Sequence, residues 1–414
     1  MSMLSPDVGE LMMQRIEKLA TLSESEHGLT RRFATPEHRS ANNLVAEWME
    51  QAGMSVHEDA IGNVIGRYEG STANAPAIML GSHLDTVLMA GKYDGMLGVL
   101  SGLACVEHLA ANSQRLPQAI EVIGFADEEG VRYQSTFLGS RAIAGEFDFE
   151  QLDRLDKDGI SMRDALIGFG KNPDDLTSAI RRPEEIAAYL EIHIEQGPVL
   201  EQENLGVGVV TAIAGATRLM VTICGEAGHA GTVPMTLRRD ALVAAAECIS
   251  SIEKICTGPV DLVGTVGSIK AEPGAGNVIP GRVEFTVDIR AAEDTCRKTA
   301  VDTVIAQLHD ICEQRHLQIN VDTVHNEPSE VCDSALIEHI SDAISACQPR
   351  VLKLTSGAGH DAMVMTHITA SGLIFVRCAG GISHNPAESI TVDDAALGAE
   401  VMCRSLLNLS AAIA

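Results

Sequence analysis

The sequence predicts an α/β protein: a main domain built on a mostly parallel sheet, with a smaller α+β domain inserted into it. Three observations predict this fold class. Apolar, strand-length runs alternate with helix-length segments over residues 1–213 and again over 327–414, which is typical of parallel sheets covered by helices. Between residues 214 and 326 the order of elements becomes β-α-β-β-α-β, the ferredoxin-like split unit. The length of 414 residues also exceeds that of a usual single domain.

The elements of the main domain follow from the spacing of apolar residues. Residues 6–22 and 36–53 repeat apolar side chains at helical intervals, and a further helix is predicted from Asp94 onward. Four short apolar runs predict buried strands: NVIGRYE, APAIMLGSH, AIEVIGFADEE and AAYLEIHIEQG. Later in the chain, the sequence predicts a helix over 333–347, the strand LIFVRCAG and a last helix from Asp393.

The inserted domain has its own pattern of elements. A strand TRLMVTICG is followed by a helix RRDALVAAAECISSIEKI and by the strands DLVGTVGSIKA and RVEFTVDIR. A second helix, TCRKTAVDTVIAQLHDICEQR, and a last strand, LQINVDTVH, complete the domain. The pattern therefore predicts a discontinuous main domain, 1–213 with 327–414, around a satellite of residues 214–326.

Composition excludes several classes of partner. The net charge is −27, from 57 acidic and 30 basic residues, which argues against binding to nucleic acid or to an anionic membrane. No window approaches the roughly 20 apolar residues of a membrane span, and the first residues, MSMLSPDVGELMMQRIEKL, lack the pattern of a signal peptide. The ten cysteines include no C-x-x-C pair and are expected in the core. A cytoplasmic enzyme is the simplest interpretation.

Polar side chains collect where the predicted strands end. In a parallel sheet, ligands bind beyond the carboxyl ends of the strands. A lone His-x-Asp or Asp-Glu-Glu is usually a surface pair or a solvated turn, and a lone histidine is usually structural. The joint occurrence of five such residues at strand ends predicts a site instead. These residues are His83, Glu128, Glu129, His193 and Gln196.

The residue types at these positions favour metal binding. His83 and Asp85 are separated by one residue, so on an extended segment both point the same way. A metal-binding imidazole usually donates its other N–H to a carboxylate, and Asp85 is placed to accept it. Asp94 precedes a predicted helix, where a carboxylate is stabilised. The three carboxylates of residues 127–129 are costly at the end of an apolar strand unless a cation neutralises them or one holds a proton.

Eight motifs in order carry a resemblance to a known family: GSHLDTV, AGKYDG, DEEG, HIEQGPVLE, GHAGTVPM, NVIPG, SGAGHDA and GGISHNPAE. They resemble the M20-type dinuclear metallohydrolases, in the branch of N-carbamoyl-L-amino acid hydrolases, β-ureidopropionases and allantoate amidohydrolases. The resemblance extends from about Leu29 to Ala396. It implies a metallopeptidase-like catalytic domain and, for residues 214–326, a dimerisation (lid) domain that forms a homodimer.

The resemblance also implies a cofactor and its ligands. Two divalent ions per subunit are expected, Mn²⁺ first, with Zn²⁺ or Co²⁺ also compatible with oxygen and nitrogen ligands. One ion would be held by His83, Asp94 and His193, with Asp94 bridging to a second ion completed by Glu129 and His384. Glu128 would be the general base for a metal-activated water, and Asp85 would orient His83.

A second set of residues is implied for substrate binding. His229 would stabilise the tetrahedral oxyanion in the partner's active site, and Arg290 would hold a substrate carboxylate bidentately. Without the family, Arg290 is equally well a surface strand residue, and GAGHDA is equally well a tight turn. The full set comprises Gln196, Arg218, His229, Asn277, Arg290, Gly359 and His360.

The implied substrate is a ureido acid. The segments AGKYDG, DEEGVRYQSTFLGSRAIAG and FVRCAGGISHNPAE look most like those of allantoate amidohydrolases, which implies hydrolysis of allantoate to ureidoglycine, ammonia and CO2. The alternatives are an N-carbamoyl-L-amino acid hydrolase, a β-ureidopropionase, a plain aminopeptidase, and a catalytically silent ureide-binding protein of the same fold. The silent protein is disfavoured because Glu128 is present.

Overall fold

The computed structural model describes residues 3–413 and divides into two compact units. Unit 1 consists of Met1–Thr211, Cys332–Leu354 and Gly359–Ala414. Unit 2 consists of Ala212–Val331 and Thr355–Ala358.

The helices and strands have the following bounds. The α-helices within residues 3–413 are α1 (Val8–Ala20), α2 (Pro36–Gln51), α3 (Met96–Ala111), α4 (Leu138–Ala144), α5 (Met162–Gly168), α6 (Val199–Gln202), α7 (Ala241–Cys256), α8 (Asp294–Gln314), α9 (Ser334–Ser345), α10 (Asp361–Met365) and α11 (Val392–Ala412). The strands of the same residues are β1 (Ser55–Glu58), β2 (Val64–Tyr68), β3 (Ala77–His83), β4 (Ile120–Phe125), β5 (Ile186–Ile194), β6 (Val207–Ile213), β7 (Gly215–Cys224), β8 (Gly228–His229), β9 (Leu262–Thr265), β10 (Ile269–Glu272), β11 (Val278–Ile279), β12 (Arg282–Ala291), β13 (Gln318–Glu327), β14 (Glu330–Val331), β15 (Lys353–Ser356) and β16 (Ser371–Val376). Among the described helices, none is long and apolar enough to cross a bilayer.

The sheet of unit 1 has a parallel centre. Its strand order is β1-β2-β4-β3-β5-β16-β6, and the neighbours β4, β3, β5 and β16 run parallel to one another. The outer strands β1, β2 and β6 pair in antiparallel fashion. The predicted α/β class with a mostly parallel sheet is therefore confirmed, and the antiparallel flanks are an addition to it.

The alternation of side chains along the central strands separates core from site. Ile78 and Leu80 of β3, and Leu190 and Ile192 of β5, belong to the main hydrophobic core together with residues of α3 and α11. Successive side chains on a strand point to opposite faces, so the intervening positions lie on the other face of the sheet. All ten cysteines are free thiols, and seven of them are buried.

A glycine connects the core helix α3 to the strand-end segment. α3 begins at Met96, so the expectation that Asp94 opens the helix is wrong by two residues. Gly95 causes the difference, because its φ of 75° is left-handed and cannot continue a helix. A Cβ at Gly95 would also lie 2.6 Å from the His83 ring. Glycine therefore allows the backbone beside Asp94 to approach His83.

Unit 2 contains an antiparallel sheet with the order β10-β12-β7-β13, in which β9 also pairs with β12. Val221 of β7 and Phe285 of β12 belong to a core cluster that also contains residues of α7 and α8. Near the ends of the insertion, Ile213 pairs with Glu330 of β14.

One predicted strand of the inserted domain is wrong. The segment DLVGTVGSIKA was expected to form a single strand, but it forms β9 and β10. Thr265 pairs with Asp288 and Ile269 pairs with Phe285, so three residues on this segment oppose two on β12. An extra residue of this kind is a bulge, which interrupts regular pairing.

Candidate metal and catalytic site

The strand-end residues of unit 1 meet at one edge of the parallel sheet. His83 ends β3 and lies level with Phe125 at the end of β4, after which the acidic residues 127–129 follow. His193 lies near the end of β5, and its ring stacks on that of His83 with centroids 5.8 Å apart. Adjacent parallel strands thus deliver two imidazoles and three carboxylates to one place.

The Asp94 carboxylate lies between three imidazoles. Its Oδ1 is 3.3 Å from Nε2 of His83 and 3.0 Å from Nε2 of His193. Its Oδ2 is 3.3 Å from Nε2 of His384, and that nitrogen is 3.5 Å from Oε1 of Glu129. The two oxygens of one carboxylate therefore face two different sets of nitrogen and oxygen ligands.

The donor set fits two divalent ions. Three groups within residues 3–413 place their ligand atoms within 4.8 Å of one another: His83, Asp94 and His193; His83, Glu128 and Glu129; and Asp94, Glu129 and His384. The first and third groups share Asp94, as a bridging carboxylate requires. All donors are imidazole nitrogens or carboxylate oxygens, which suit Mn²⁺, Zn²⁺ or Co²⁺.

Two of the imidazoles are oriented for binding a cation. Nδ1 of His83 lies 3.0 Å from the main-chain oxygen of Asp85, and Nδ1 of His193 lies 2.9 Å from that of Ile194. A carbonyl oxygen only accepts hydrogen bonds, so each Nδ1 carries the proton. Nε2 of each ring therefore faces Asp94 and is the nitrogen that would bind a metal ion.

The Asp85 carboxylate mainly anchors the acidic loop. It accepts the main-chain N–H of Glu128 at 2.9 Å and that of Glu129 at 3.2 Å. Its distance to Nδ1 of His83 is 3.5 Å, longer than the contact made by its own main-chain oxygen. Nδ1 of His83 therefore faces both the main-chain oxygen and the carboxylate of Asp85, and orientation of the ring by the carboxylate stays a prediction.

Burial makes the acidic cluster unfavourable in its ionised form. Burial raises the pKa of Glu128 well above its usual range, and the negative charges of Glu129 and Asp361 add to the rise. Burial and the charge of Asp94 raise the pKa of Glu129 to about 7. A bound cation would favour the ionised forms of both groups. The raised pKa values of Glu128 and Glu129 and the geometry of the ligand atoms thus both indicate a cation site.

Arg31 holds the segment that carries Asp85. Its guanidinium is completely buried and donates to the carbonyl oxygens of Leu84 at 2.7 Å, Leu19 at 2.8 Å and Leu22 at 3.0 Å. Its main-chain N–H donates to Oγ1 of Thr86 at 2.9 Å. The sequence analysis missed this residue, because contacts to main-chain oxygens leave no motif.

Glu388 joins the two segments that carry Asp94 and His384. The buried carboxylate accepts the N–H groups of Tyr93 at 2.9 Å and Asp94 at 3.2 Å, and the hydroxyl of Ser383 at 3.0 Å. The sequence analysis gave it no role, although it ends the quoted motif GGISHNPAE. Glu388 positions two ligands of the cluster.

Gln196 lies beside the bridging carboxylate. Its Nε2 donates to Oδ2 of Asp94 at 2.9 Å and to Oγ of Ser383 at 3.1 Å. Its φ of 56° is left-handed, which is uncommon for a residue with a side chain and is typical of functional positions. The structure therefore brings Gln196 to the metal cluster.

His360 and Gly359 lie near the same site. The ring of His360 is buried, with its centroid 4.6 Å from that of His193. Burial and the charge of His193 lower the pKa of His360 well below its usual value, so it is neutral. A Cβ at Gly359 would lie 2.6 Å from the ring of Phe137, which gives this glycine a packing role.

Unit 2 carries the remaining candidates. His229 and Asn277 are exposed and adjacent, because His229 pairs with Val278 and the Asn277 carbonyl accepts the N–H of Ala230 at 3.0 Å. Nδ1 of His229 accepts the N–H of Gly231 at 3.0 Å, so the proton of the neutral ring is on Nε2. Arg218 and Arg290 lie elsewhere in unit 2, where both donate to the carboxylate of Asp288.

The fold and the site define a class, the metal-dependent hydrolases. The family model of Peptidase family M20/M25/M40 matches residues 79–408, and the chain belongs to this family. It is a hydrolase that acts on carbon–nitrogen bonds.

Several characterised proteins are similar over nearly their whole length. Allantoate deiminase 2 of Glycine max is 41% identical, over 96% of this chain and 88% of its own. The N-carbamoyl-L-amino-acid amidohydrolase of Pseudomonas sp. (strain NS671) is 39% identical, over 96% of this chain and 97% of its own. The crystal structure of an amidase of the hydantoinase/carbamoylase family from Burkholderia multivorans superposes with a TM-score of 0.92 at 30% identity, covering 97% of this chain and 98% of that one.

Replacement of Glu388 by glutamine should weaken metal binding. The glutamine oxygen can still accept the N–H groups of Tyr93 and Asp94, but its amide nitrogen cannot accept the Ser383 hydroxyl, so the link between the Asp94 and His384 segments weakens. Loss of such a supporting partner typically lowers metal affinity by about 10–100-fold. Titration of chelator-treated protein with Mn²⁺ in a calorimeter measures the change.

Glu201→Gln is the matched control. Its carboxylate also accepts a main-chain N–H, that of Gly380 at 3.0 Å, but it does not join the Asp94 and His384 segments. It should leave Mn²⁺ affinity unchanged. Equal affinities for the Glu388 variant and the wild type would contradict the positioning role.

Proposed function

We propose that the protein hydrolyses a ureido group of allantoate, leaving ureidoglycine and releasing ammonia and CO2. The observation that carries a hydrolytic role is the placement of Asp94 between three imidazoles, with the buried carboxyl of Glu128 beside them. The choice of substrate rests on the quoted motifs and on the similarity to allantoate deiminases. Identity to N-carbamoyl-L-amino-acid amidohydrolases is only slightly lower, so these provide the second candidate function.

The residues of unit 1 account for the chemistry. Two divalent ions, with Mn²⁺ preferred, would polarise the ureido carbonyl and lower the pKa of a water molecule. Glu128 accepts the proton of that water and delivers it to the departing nitrogen. Asp85 fixes the position of Glu128, since its carboxylate accepts the main-chain N–H groups of Glu128 and Glu129. Gln196 and His360 contact the ureido end of the substrate.

The residues of unit 2 bind the rest of the substrate. The Nε2–H of His229 is available as a donor, because its Nδ1 already accepts the Gly231 N–H. We infer that the protein is a homodimer through residues 214–326 and that the partner's His229 stabilises the oxyanion. Asn277, Arg218 and Arg290 bind the polar groups of the substrate, with Arg290 on its carboxylate.

Ammonia release from three ureido acids tests the proposal. Allantoate, N-carbamoyl-L-methionine and 3-ureidopropionate are compared with Mn²⁺ added. The proposal expects kcat/KM for allantoate to be at least about tenfold above that for the other two. Faster turnover of N-carbamoyl-L-methionine would make the protein an N-carbamoyl-L-amino acid hydrolase. Release from none of the three would reject ureido hydrolysis.

Glu128→Gln should bind metal and lose activity. The amide keeps the size of the side chain but cannot take a proton from water, so kcat should fall by about 10²–10⁴-fold. Metal content by mass spectrometry and initial rates are measured on the same preparation. The exposed Glu150→Gln serves as control and should match the wild type. Near-normal turnover of the Glu128 variant at full metal content would exclude its role as base.

Co-expression of two inactive variants tests the shared site. In a hybrid dimer, a His229→Ala subunit keeps Glu128 and receives the histidine of its Glu128→Gln partner. Random pairing makes half of the dimers hybrid with one working site each, so about a quarter of wild-type activity should return. Each variant expressed alone should stay inactive. Absence of recovery in isolated hybrid dimers would show that His229 acts within its own subunit or not at all.

A further inference from the structure

One carboxylate on the sheet of unit 2 holds two arginines. Asp288 of β12 is paired in register with Arg218 of β7, and Arg290 follows two residues later on the same strand. The neighbouring residues Val287 and Ile289 are buried in the core of the unit. Because side chains alternate along a strand, Arg218, Asp288 and Arg290 lie together on the opposite face.

The contacts of Asp288 fix the orientation of Arg290. Its Oδ1 accepts Nε of Arg290 at 2.9 Å, and its Oδ2 accepts Nη2 of the same guanidinium at 3.0 Å. Oδ2 also accepts Nε of Arg218 at 3.0 Å. A bidentate pair is the geometry in which a carboxylate constrains a guanidinium most strongly. Side-chain exposures of 27% for Asp288 and 29% for Arg290 show that the pair is largely shielded from solvent.

The guanidinium of Arg290 keeps donors for a second carboxylate. It has five N–H groups, of which Asp288 takes two and the main-chain oxygen of Gly357 takes one from Nη1 at 2.6 Å. One N–H remains on each terminal nitrogen, so two donors are left for the carboxylate of a ligand. Asp288 and Gly357 therefore fix the orientation of the Arg290 guanidinium without using all of its N–H donors.

A cavity of about 550 Å³ adjoins the two arginines. Its lining includes Arg218 and Arg290 together with Val263, Thr265, Thr286 and Val324. The volume accommodates a small organic acid. The three charged side chains sum to one positive charge, which matches one ligand carboxylate.

We propose that Asp288 is a positioning residue: it presents the Arg290 guanidinium to the carboxylate of a ureido acid substrate and anchors Arg218 beside it. The inference rests on the proposed function, in which Arg290 binds that carboxylate. Asp288 itself does not contact the substrate. An arginine without this partner has more rotamers to lose on binding, so substrate binding weakens when Asp288 is changed.

Charge and positioning predict opposite effects for Asp288→Asn. Removing a negative charge beside two arginines raises the local positive potential, which by itself strengthens the binding of an anion. Removing the bidentate acceptor allows the Arg290 guanidinium to move, which by itself weakens the binding of an anion. The positioning role therefore predicts that KM for allantoate, or for the ureido acid that the wild type prefers, rises about tenfold with kcat nearly unchanged. A KM that falls or stays constant would overturn the proposal.

Glu284→Gln is the matched control, because Glu284 lies on the same strand and pairs with another arginine, Arg282, at 2.6 Å. Its KM should equal that of the wild type. Thermal melting of both variants checks folding, and Asp288→Ala replaces Asp288→Asn if the latter does not fold.

A double-mutant cycle separates positioning from general disturbance of the sheet. In an Arg290→Ala background, Asp288→Asn should raise KM no further, because the guanidinium that it positions is gone. Independent, multiplying effects of the two changes would overturn the proposal. A wild-type protein that hydrolyses no ureido acid would instead refute the proposed function.

Discussion

The crowding of buried carboxylates at one edge of the parallel sheet is the constraint on which unit 1 depends. The ligand atoms of Glu129 lie close to those of Asp94 in one group and to those of Glu128 in another, and both Asp94 and Glu128 are buried. Burial and like charges oppose the ionisation of Glu128 and Glu129, as the raised pKa of Glu129 illustrates. The surrounding imidazoles, above all that of His193, instead hold the pKa of Asp94 well below its usual range. The side-chain amide of Gln196 also donates to Asp94, and cations held between the carboxylates would relieve the remaining cost at Glu128 and Glu129. Metal binding and the stability of this edge are therefore linked.

The ligands are held mostly by residues that do not themselves face the cluster. Arg31 fixes the segment after β3 through main-chain oxygens, and Glu388 fixes the segment before α3 through main-chain N–H groups. Asp85 does the same for the acidic loop. Arg31 and Glu388 are thus held by main-chain groups rather than by an opposite charge, whereas the Asp85 carboxylate also lies 3.5 Å from Nδ1 of His83. Asp288 in unit 2 differs, because its hydrogen-bond donors are the side chains of Arg218 and Arg290 rather than main-chain groups.

Sequence patterns predicted the fold class well and the supporting residues poorly. Apolar runs of strand length alternating with helices identify a parallel sheet, and its centre is confirmed. The direction of the outer strands and the bulge between β9 and β10 were not predicted, because hydrophobicity carries no information on either. The candidate metal ligands could be named because strand-end polarity coincided with the family motifs. Arg31, by contrast, contacts three carbonyl oxygens, and nothing in the surrounding letters marks it.

The pairing of Ile213 with Glu330 brings together the two points where the chain passes into and out of the inserted segment. Paired strands lie about 5 Å apart, a gap that a tight turn can close. A segment of more than a hundred residues could therefore be gained, replaced or lost at this junction during evolution, while the two flanking stretches stay joined. Such a junction lets a lineage exchange the inserted domain while the strand-end residues of unit 1 keep their places, which offers a physical route by which relatives with different substrates share one architecture.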